Sequence, residues 1–412
     1  MTRWTALLTL ICFSTVAEAE DWPQFLGPDR TGVSSETGLI DSFGDDGPPV
    51  AWRRSLGTSM AGIAVSDGTV YTCWQDRSRQ YLVALSEKDG TEKWSAEFAP
   101  AYRNGQGNGP RATPVVHNKT VFVFGGGGTL AAVSVADGDV LWKKNTPAEL
   151  STKPAEYGMA SSPLIVGDNV VVQVGGRNGA VAAFRQEDGE LVWSAGTGTP
   201  GYSSPTVMTL SGREQIIACC GAAVHSIDAA KGILLWSHPW VTDYDCNTST
   251  AVQLTPDRLL ISSGENHGSA ILRISASPAG VTAQAIWESI GRTSVLRAEW
   301  QTPVLLDGYL YGMDNVGSAG PVTNLVCVRA EDGEQMWNQR RFGKSNLVAA
   351  DGKLFISTMK GELVLVKASP KAFTEVSRAT ILSQQTRQAP VIANGMLYLR
   401  DNTEIVCLKI KK

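Results

Sequence analysis

The segment Ala330-Glu331-Asp332-Gly333-Glu334-Gln335-Met336-Trp337 indicates the architecture of this chain. An Asp-Gly pair supplies the positive φ that a tight hairpin turn requires, and the residues after it lead into a short strand that ends in tryptophan. A shorter copy, Ala136-Asp137-Gly138 to Trp142, has the same turn and the same strand. The segment therefore predicts a hairpin that the chain uses repeatedly.

Tryptophan recurs at intervals of 42 to 51 residues along most of the chain. Within each interval we recognise a Ser-Pro, Thr-Pro or similar start, an Asp-Gly or Asn-Gly turn, an alternating strand, a glycine-rich loop, and a second turn. Four short antiparallel strands per interval form one twisted sheet, which cannot bury both of its faces alone. The sheets must therefore stack around an axis as a β-propeller. The tryptophans are Trp52, Trp94, Trp142, Trp193, Trp236, Trp287 and Trp337.

The two ends of the repeat region supply parts of one blade. After the seventh unit, a last unit begins at Gln388-Ala389-Pro390 and contains only three strands. The missing outer strand is available at Val50-Ala51-Trp52-Arg53. We therefore predict an all-β, eight-bladed propeller of four-stranded antiparallel blades, closed by N- and C-terminal strands in one blade.

Composition excludes several other classes of protein. The chain has 412 residues, of which 42 are glycine, above the roughly 7% that is typical of globular proteins. Its 36 basic and 40 acidic side chains give a net charge of −4, which argues against nucleic acid as a partner. With 43% hydrophobic residues the chain can bury a core, so that intrinsic disorder is excluded.

The N-terminal residues predict export. Residues 1–19 combine Arg3, an apolar run and the small-x-small site Ala17-Glu18-Ala19, as in a secretory signal peptide. The run is too short for the roughly 20 residues that span a bilayer. We therefore expect a periplasmic or extracellular monomer without a membrane span, with an extended N-terminal clasp over 20–49 and a single propeller over 50–412.

The Ala-x-Asp-Gly-x-x-x-Trp unit resembles the pyrroloquinoline-quinone (PQQ) repeat of the PQQ-like β-propeller family. The resemblance covers roughly residues 50–410. Repeats of this kind occur in quinoprotein dehydrogenases and in the non-enzymatic propeller subunit of the outer-membrane β-barrel assembly machinery. The resemblance thus implies the fold strongly, whereas function depends on the site that the loops build.

Loops on the top face, where successive blades connect, are longer and more varied than the bottom turns, and they are the expected binding surface. We interpret the chain as a non-enzymatic binding or scaffolding module whose top-face funnel takes a protein partner or a small polar ligand. No catalytic residue, metal ligand or cofactor is assigned. The candidate binding residues are Arg111, Glu156, Tyr157, Tyr202, Asp243, Asp245, Glu265, Asn266, Glu299, Trp300, Asp314, Asn315, Lys344 and Arg387.

Two alternatives remain open. The first is a PQQ- and calcium-dependent quinoprotein oxidoreductase, which the resemblance to quinoprotein dehydrogenases implies. In those enzymes PQQ lies beside a disulfide of adjacent cysteines, and calcium is bound by Glu, Asn and Asp oxygens. The corresponding candidates here are Cys219-Cys220, Glu265-Asn266 and Asp314-Asn315. The cysteines lie in a strand pattern that points consecutive side chains to opposite faces, which favours two separate buried thiols. A carbohydrate-binding or sugar-processing protein is the second alternative, suggested by Glu299-Trp300 and Asp243-Tyr244-Asp245.

Overall fold

The structure, a computed structural model, describes residues 20–177, 179–317 and 322–412, and the expected signal peptide lies outside these ranges. Within these ranges, thirty-two strands form eight four-stranded antiparallel sheets arranged as blades around a central channel. The predicted eight-bladed propeller is confirmed. The structure also contains an α-helix at Thr146–Glu149 and 3-10 helices at Asp243–Asp245 and Gly291–Thr293.

Each of the first four blades runs from the innermost to the outermost strand in chain order. Blade I contains β2 (Ile63–Ser66), β3 (Thr69–Gln75), β4 (Arg79–Ser86) and β5 (Glu92–Pro100). Blade II contains β6 (Val115–His117), β7 (Thr120–Phe124), β8 (Thr129–Ser134) and β9 (Val140–Asn145). Blade III contains β10 (Leu164–Val166), β11 (Asn169–Gln173), β12 (Val181–Arg185) and β13 (Leu191–Ala195). Blade IV contains β14 (Thr206–Leu210), β15 (Arg213–Cys219), β16 (Ala223–Asp228) and β17 (Leu234–Pro239).

The remaining blades follow the same order, except that the last one takes its outer strand from the N-terminal part of the chain. Blade V contains β18 (Val252–Thr255), β19 (Arg258–Ser263), β20 (Gly268–Ser277) and β21 (Gly280–Ile290). Blade VI contains β22 (Val304–Leu306), β23 (Tyr309–Val316), β24 (Val322–Arg329) and β25 (Gln335–Gln339). Blade VII contains β26 (Ser345–Ala350), β27 (Lys353–Thr358), β28 (Glu362–Lys367) and β29 (Glu375–Thr380). Blade VIII contains β30 (Val391–Ala393), β31 (Met396–Arg400), β32 (Glu404–Lys409) and β1 (Val50–Ser55).

The Asp-Gly-Trp repeat joins several pairs of neighbouring blades. A Cβ added to Gly90 would lie 2.6 Å from the Trp52 ring of the preceding blade, and a Cβ on Gly138 would lie 2.7 Å from Trp94. The glycine is therefore required for space as well as for its positive φ. The Trp52 indole also donates to the Glu87 carbonyl at 2.8 Å. The same glycine-on-tryptophan contact recurs at Gly189 on Trp142, Gly232 on Trp193 and Gly333 on Trp287.

Polar side chains close the ring between blades VIII and I. Tyr398 Oη and Asn394 Nδ2 both donate to Glu87 Oε1, at 3.0 and 3.1 Å. Arg400 is buried and donates from Nη1 to the Cys73 carbonyl at 2.9 Å and to the Thr72 hydroxyl. These contacts and the pairing of β1 with β32 join blades VIII and I.

The segment before β1 crosses the bottom face and closes the lower end of the channel. Trp22 pairs with Val65 of blade I, and Val33 pairs with Ala349 of blade VII. Between them, Arg30 is buried and donates to the Pro163 carbonyl of blade III at 3.0 Å. We call residues 21–34 the floor segment. Because residues of this segment line the lower end of the channel, the segment limits the depth of the funnel.

Candidate functional site

A cavity of about 580 Å³ occupies the channel above the floor segment. Trp22, Phe25 and Leu26 form its base. The starts of the innermost strands form its wall, and loops of the top face form its mouth. This volume lies in the range of sites that hold a small molecule or a short protein segment.

Hydroxyl groups at the wall link consecutive blades. The backbone N–H of Thr113 donates to Ser162 Oγ at 3.0 Å, and the N–H of Ser162 donates to Ser204 Oγ at 2.9 Å. The series continues from the Ser204 N–H to Thr250 Oγ1 at 3.3 Å and from the Thr250 N–H to Thr302 Oγ1 at 3.1 Å. This hydroxyl belt gives the Ser/Thr-Pro starts of the repeat a structural purpose, because each hydroxyl satisfies the amide of its neighbour.

Eight of the predicted binding residues line the cavity together. They come from the connections between blades I and II, II and III, III and IV, V and VI, VI and VII, and VII and VIII, and from the loop between β19 and β20. Their convergence results from the ring itself, since every connection of this type opens on the same face. They are Arg111, Tyr157, Tyr202, Glu265, Glu299, Trp300, Lys344 and Arg387.

Four predicted residues lie near the mouth but outside the cavity lining. Glu156 and Asp243 are exposed. Asp245 accepts from Thr199 Oγ1 at 2.7 Å, and Asn266 Oδ1 accepts from the Gly317 N–H at 2.8 Å. These last two side chains organise the top loops.

Asp314 and Asn315 are placed away from the cavity lining. Asp314 forms a bidentate ion pair with Arg297, with Nε to Oδ1 at 2.6 Å and Nη2 to Oδ2 at 2.8 Å. The two side chains are only 2% and 5% exposed. Asn315 donates its N–H to the Arg297 carbonyl at 2.9 Å. Both residues therefore serve to anchor the connection that carries Glu299 and Trp300.

One side of the cavity is cationic. Arg111 donates to the carbonyls of Gly109 and Gly107 at 2.5 and 2.7 Å and lies 4.7 Å above the Tyr102 ring. Arg387 donates to the Gln106 carbonyl at 2.7 Å. Burial lowers the pKa of Arg111 to about 10 and also lowers the pKa of Arg387. Both guanidinium groups are thus held in place by neutral acceptors.

The opposite side carries two carboxylates. Glu299 Oε1 accepts from Lys344 Nζ at 2.9 Å, and this pair is mostly buried. Burial raises the pKa of Glu265, and the nearby negative charge of Glu299 raises it further. The cavity therefore has separate positive and negative ends.

Trp300 lines the cavity in an unusual backbone conformation. Its φ is +60°, in the left-handed region that bulky residues rarely adopt. Lys344 Nζ lies 4.1 Å and Arg387 Cζ 5.0 Å from the centre of a Trp300 ring. Such outliers concentrate at binding sites, where the surrounding structure maintains the strain.

The residues that the quinoprotein resemblance selects do not come together. Cys219 packs with Trp236 and Ile261, whereas Cys220 packs in a separate core with Ile216. Burial raises the pKa of the Cys219 thiol to about 12 and that of Cys220 further still. Neither thiol lines the cavity, and the Asp314 carboxylate is paired with Arg297. These residues therefore do not fit a shared site for PQQ and calcium.

The described ranges contain no group of three or more His, Cys, Asp or Glu side chains placed to hold a metal ion. In the same ranges, no helix has the length and apolar character needed to cross a membrane.

Sequence reasoning missed several residues of the cavity. Cys246, Gln106 and Met60 contribute from the top loops, and Gln388 contributes from the start of blade VIII. Gln388 precedes Ala389-Pro390, the blade start that the repeat identifies. Ala389 occupies the repeat position that holds the belt hydroxyl in other blades, and Gln388 comes one residue earlier. This position in the repeat could have indicated that Gln388 lies at the channel wall.

The family profile and the related sequences that match this chain carry the same description. The sequence profile of a family described as outer membrane protein assembly factor BamB matches residues 78–339 and 322–410. The BamB of Shewanella oneidensis is 23% identical over 62% of this chain and 63% of its own length, and that of Yersinia pestis is 20% identical over 85% and 86%. The BamB of Moranella endobia is 26% identical over 50% of this chain. The chain thus spans less than two thirds of the Shewanella protein and 51% of the Moranella protein.

Solved structures share the fold. BamB from Moraxella catarrhalis superposes with a TM-score of 0.61 and 15% identity, covering 86% of this chain and 98% of that one. A quinohemoprotein alcohol dehydrogenase from Comamonas testosteroni superposes with a TM-score of 0.69 and 13% identity, covering 96% and 81%. Because BamB and an alcohol dehydrogenase share this fold, the structural similarity establishes the propeller alone.

Proposed function

This chain belongs to the PQQ-like propeller family described as outer membrane protein assembly factor BamB, and from that premise we propose that it is an exported, non-enzymatic scaffold in outer-membrane protein assembly. Its partner is a protein, which it contacts with the top face around the cavity mouth. The named relatives support the role in assembly.

An exposed apolar rim is the observation that carries the proposed protein contact. Val241 and Tyr244, in the connection between blades IV and V, are 63% and 67% exposed. Tyr244 also lines the cavity, and it has a left-handed φ of +59°. Exposed apolar and aromatic side chains that are bordered by charges are typical of the energetic centre of a protein interface.

Two ion pairs of the top-face connections, one at the cavity and one buried away from it, support a positioning role. Lys344 neutralises Glu299, and Arg297 neutralises Asp314. Paired groups of this kind position a loop, whereas a general acid or base needs a titratable group that is free to exchange a proton with substrate. The rim therefore presents a preorganised surface.

Site-specific photo-crosslinking in the organism that encodes the protein tests the proposal. A benzophenone amino acid at Tyr244 is expected to capture an outer-membrane β-barrel protein or a component of its assembly machinery. The matched control places the same group at Leu141, which is 54% exposed on the outer strand of blade II. Equal adducts from both positions, or none from position 244, would contradict the proposed surface.

Gene deletion supplies a second readout. We expect lower amounts of outer-membrane β-barrel proteins in the deletion strain, with recovery by the wild-type chain and by Leu141→Asp. The double variant Val241→Asp/Tyr244→Asp is expected to fold but to restore much less. Full recovery by this double variant would show that the rim is not the interface.

A further inference from the structure

We propose that the central cavity binds a small carboxylate that also carries hydroxyl groups, such as a sugar acid or another hydroxy acid. This site lies inside the channel and does not depend on the rim contact with a protein. Unused hydrogen-bonding groups at both ends of the cavity, together with its net charge, carry the inference.

The cationic end lacks a counter-ion. No carboxylate pairs with Arg111 or Arg387 within the part of the chain that the structure describes. Their pKa values are lowered by burial, and in Arg111 also by the charge of Arg387. Two neighbouring guanidinium groups in a partly desolvated site are unfavourable until an anion joins them, and carboxylates fit their geometry.

Two donors at this end have no acceptor. Gln388 is 7% exposed and lines the cavity, and its Nε2 has no hydrogen-bond partner among the described residues. The same holds for Arg387 Nε in those ranges. The amide of Gln388 is oriented by its Oε1, which accepts from the Arg387 N–H at 3.2 Å. Oxygen acceptors of a ligand would satisfy these buried donors, which otherwise cost stability.

The other end has an unused acceptor. Glu299 Oε2 is buried and has no partner among the residues described, although Oε1 of the same carboxylate binds Lys344. A hydroxyl group of a ligand would donate to it. Lys344 Nζ and Arg387 Cζ lie 4.1 and 5.0 Å from the centre of a Trp300 ring, so that the two ends of the cavity lie close together. A ligand of one ring can therefore reach both ends.

The charges that line the cavity select a monoanion. Arg111, Lys344 and Arg387 are opposed by only Glu265 and Glu299. One negative charge on the ligand would balance the remaining positive charge. An ammonium group on the ligand would cancel the charge of its carboxylate, and the excess positive charge of the cavity would stay unbalanced. Hydroxyl groups are therefore favoured over an ammonium group at the acidic end.

Isothermal titration calorimetry with D-glucuronate, and with D-glucose as the uncharged analogue, tests the site on the full mature protein. We expect glucuronate to bind and glucose to bind at least tenfold more weakly. Arg387→Gln and, independently, Arg111→Gln are each expected to weaken glucuronate binding at least tenfold. Arg103→Gln, an exposed arginine of the same face, is the matched control and should bind like the wild type.

Circular dichroism and melting temperature establish that each variant folds before its affinity is compared. Absence of glucuronate binding by the wild type would overturn the inference. So would equal binding of glucose, or unchanged binding by both folded cavity variants. None of these results would bear on the crosslinks from position 244, so that the two proposals fail separately.

Discussion

At the residue scale, the most informative side chains are those whose partners come from another blade or another connection. Gly90 accommodates Trp52 of the preceding blade, and Asp314 holds Arg297 by two hydrogen bonds. A buried charge of this kind is tolerated because its partner neutralises it and satisfies its lone pairs. The loop that presents Glu299 and Trp300 to the cavity thus depends on an ion pair outside the cavity.

Removal of one member of this pair is expected to destabilise the protein strongly. Asp314→Asn leaves the Arg297 guanidinium buried without a counter-ion, which should lower the free energy of unfolding by about 3–5 kcal/mol. Urea denaturation followed by tryptophan fluorescence measures the effect. The control Asp188→Asn removes the partner of Arg185 in an exposed pair, which should cost no more than about 1 kcal/mol. Similar losses in both variants would contradict the role of burial.

At the element scale, the starts of the innermost strands act together through the hydroxyl belt. Ser162, Ser204, Thr250 and Thr302 each accept from the amide of the blade before them. Prolines follow three of these residues and fix the entry into the strand without requiring a backbone donor there. The belt therefore sets the rotation of neighbouring blades at the channel wall.

Ser204→Ala is expected to lower the free energy of unfolding by about 1–3 kcal/mol, because the Ser162 N–H would be left buried and unpaired. Thermal and urea unfolding measure the loss. Ser95→Ala, on the exposed side of the outer strand of blade I, should change stability by less than about 0.5 kcal/mol. If Ser204→Ala matched this control, the belt would have no energetic role.

The blades could be predicted from sequence because their signals are local. The left-handed φ values of Asp67 and Gly68, +49° and +67°, are what the Asp-Gly turn requires. The cavity was predictable in part, since every connection between blades opens on one face. The ion pair of Asp314 was not predictable, because Arg297 lies in the connection before blade VI whereas Asp314 lies in β23, and no spacing rule relates them. Blade V also departs from the repeat, since β20 and β21 form a longer hairpin whose turn glycine, Gly280, contacts no tryptophan of the preceding blade.

At the scale of the whole molecule, the floor segment ties several blades together from below. Its carbonyl groups accept from the amides of Val65 in blade I, Val116 in blade II and Ala349 in blade VII, with distances of 2.8 Å. Arg30 adds blade III. The segment therefore restrains blades that are far apart in the ring, and it gives the cavity a closed base.

Deletion of residues 20–34 is expected to leave the blades folded but to remove this restraint. Hydrogen exchange should become faster at the amides of Val65, Val116 and Ala349, since each loses its carbonyl partner. The amide of Val70, within β3, should keep its protection and serves as the internal control. Unchanged exchange at the first three amides would indicate that the floor segment does not hold the blades.

The pairing of β1 with β32 also constrains how the molecule acquires its shape. The N-terminal strand is synthesised before its partner, and the Leu39 amide bonds to an aspartate that lies 312 residues later. Contacts of such sequence separation form late, since the entropy of closing a long loop must be overcome first. The nascent chain therefore passes through an open arc, with the inner faces of blades I and VIII uncovered and β32 unpaired at its edge. We expect closure to be a late step, and until it occurs the free edge of β32 can pair with the strand of another chain.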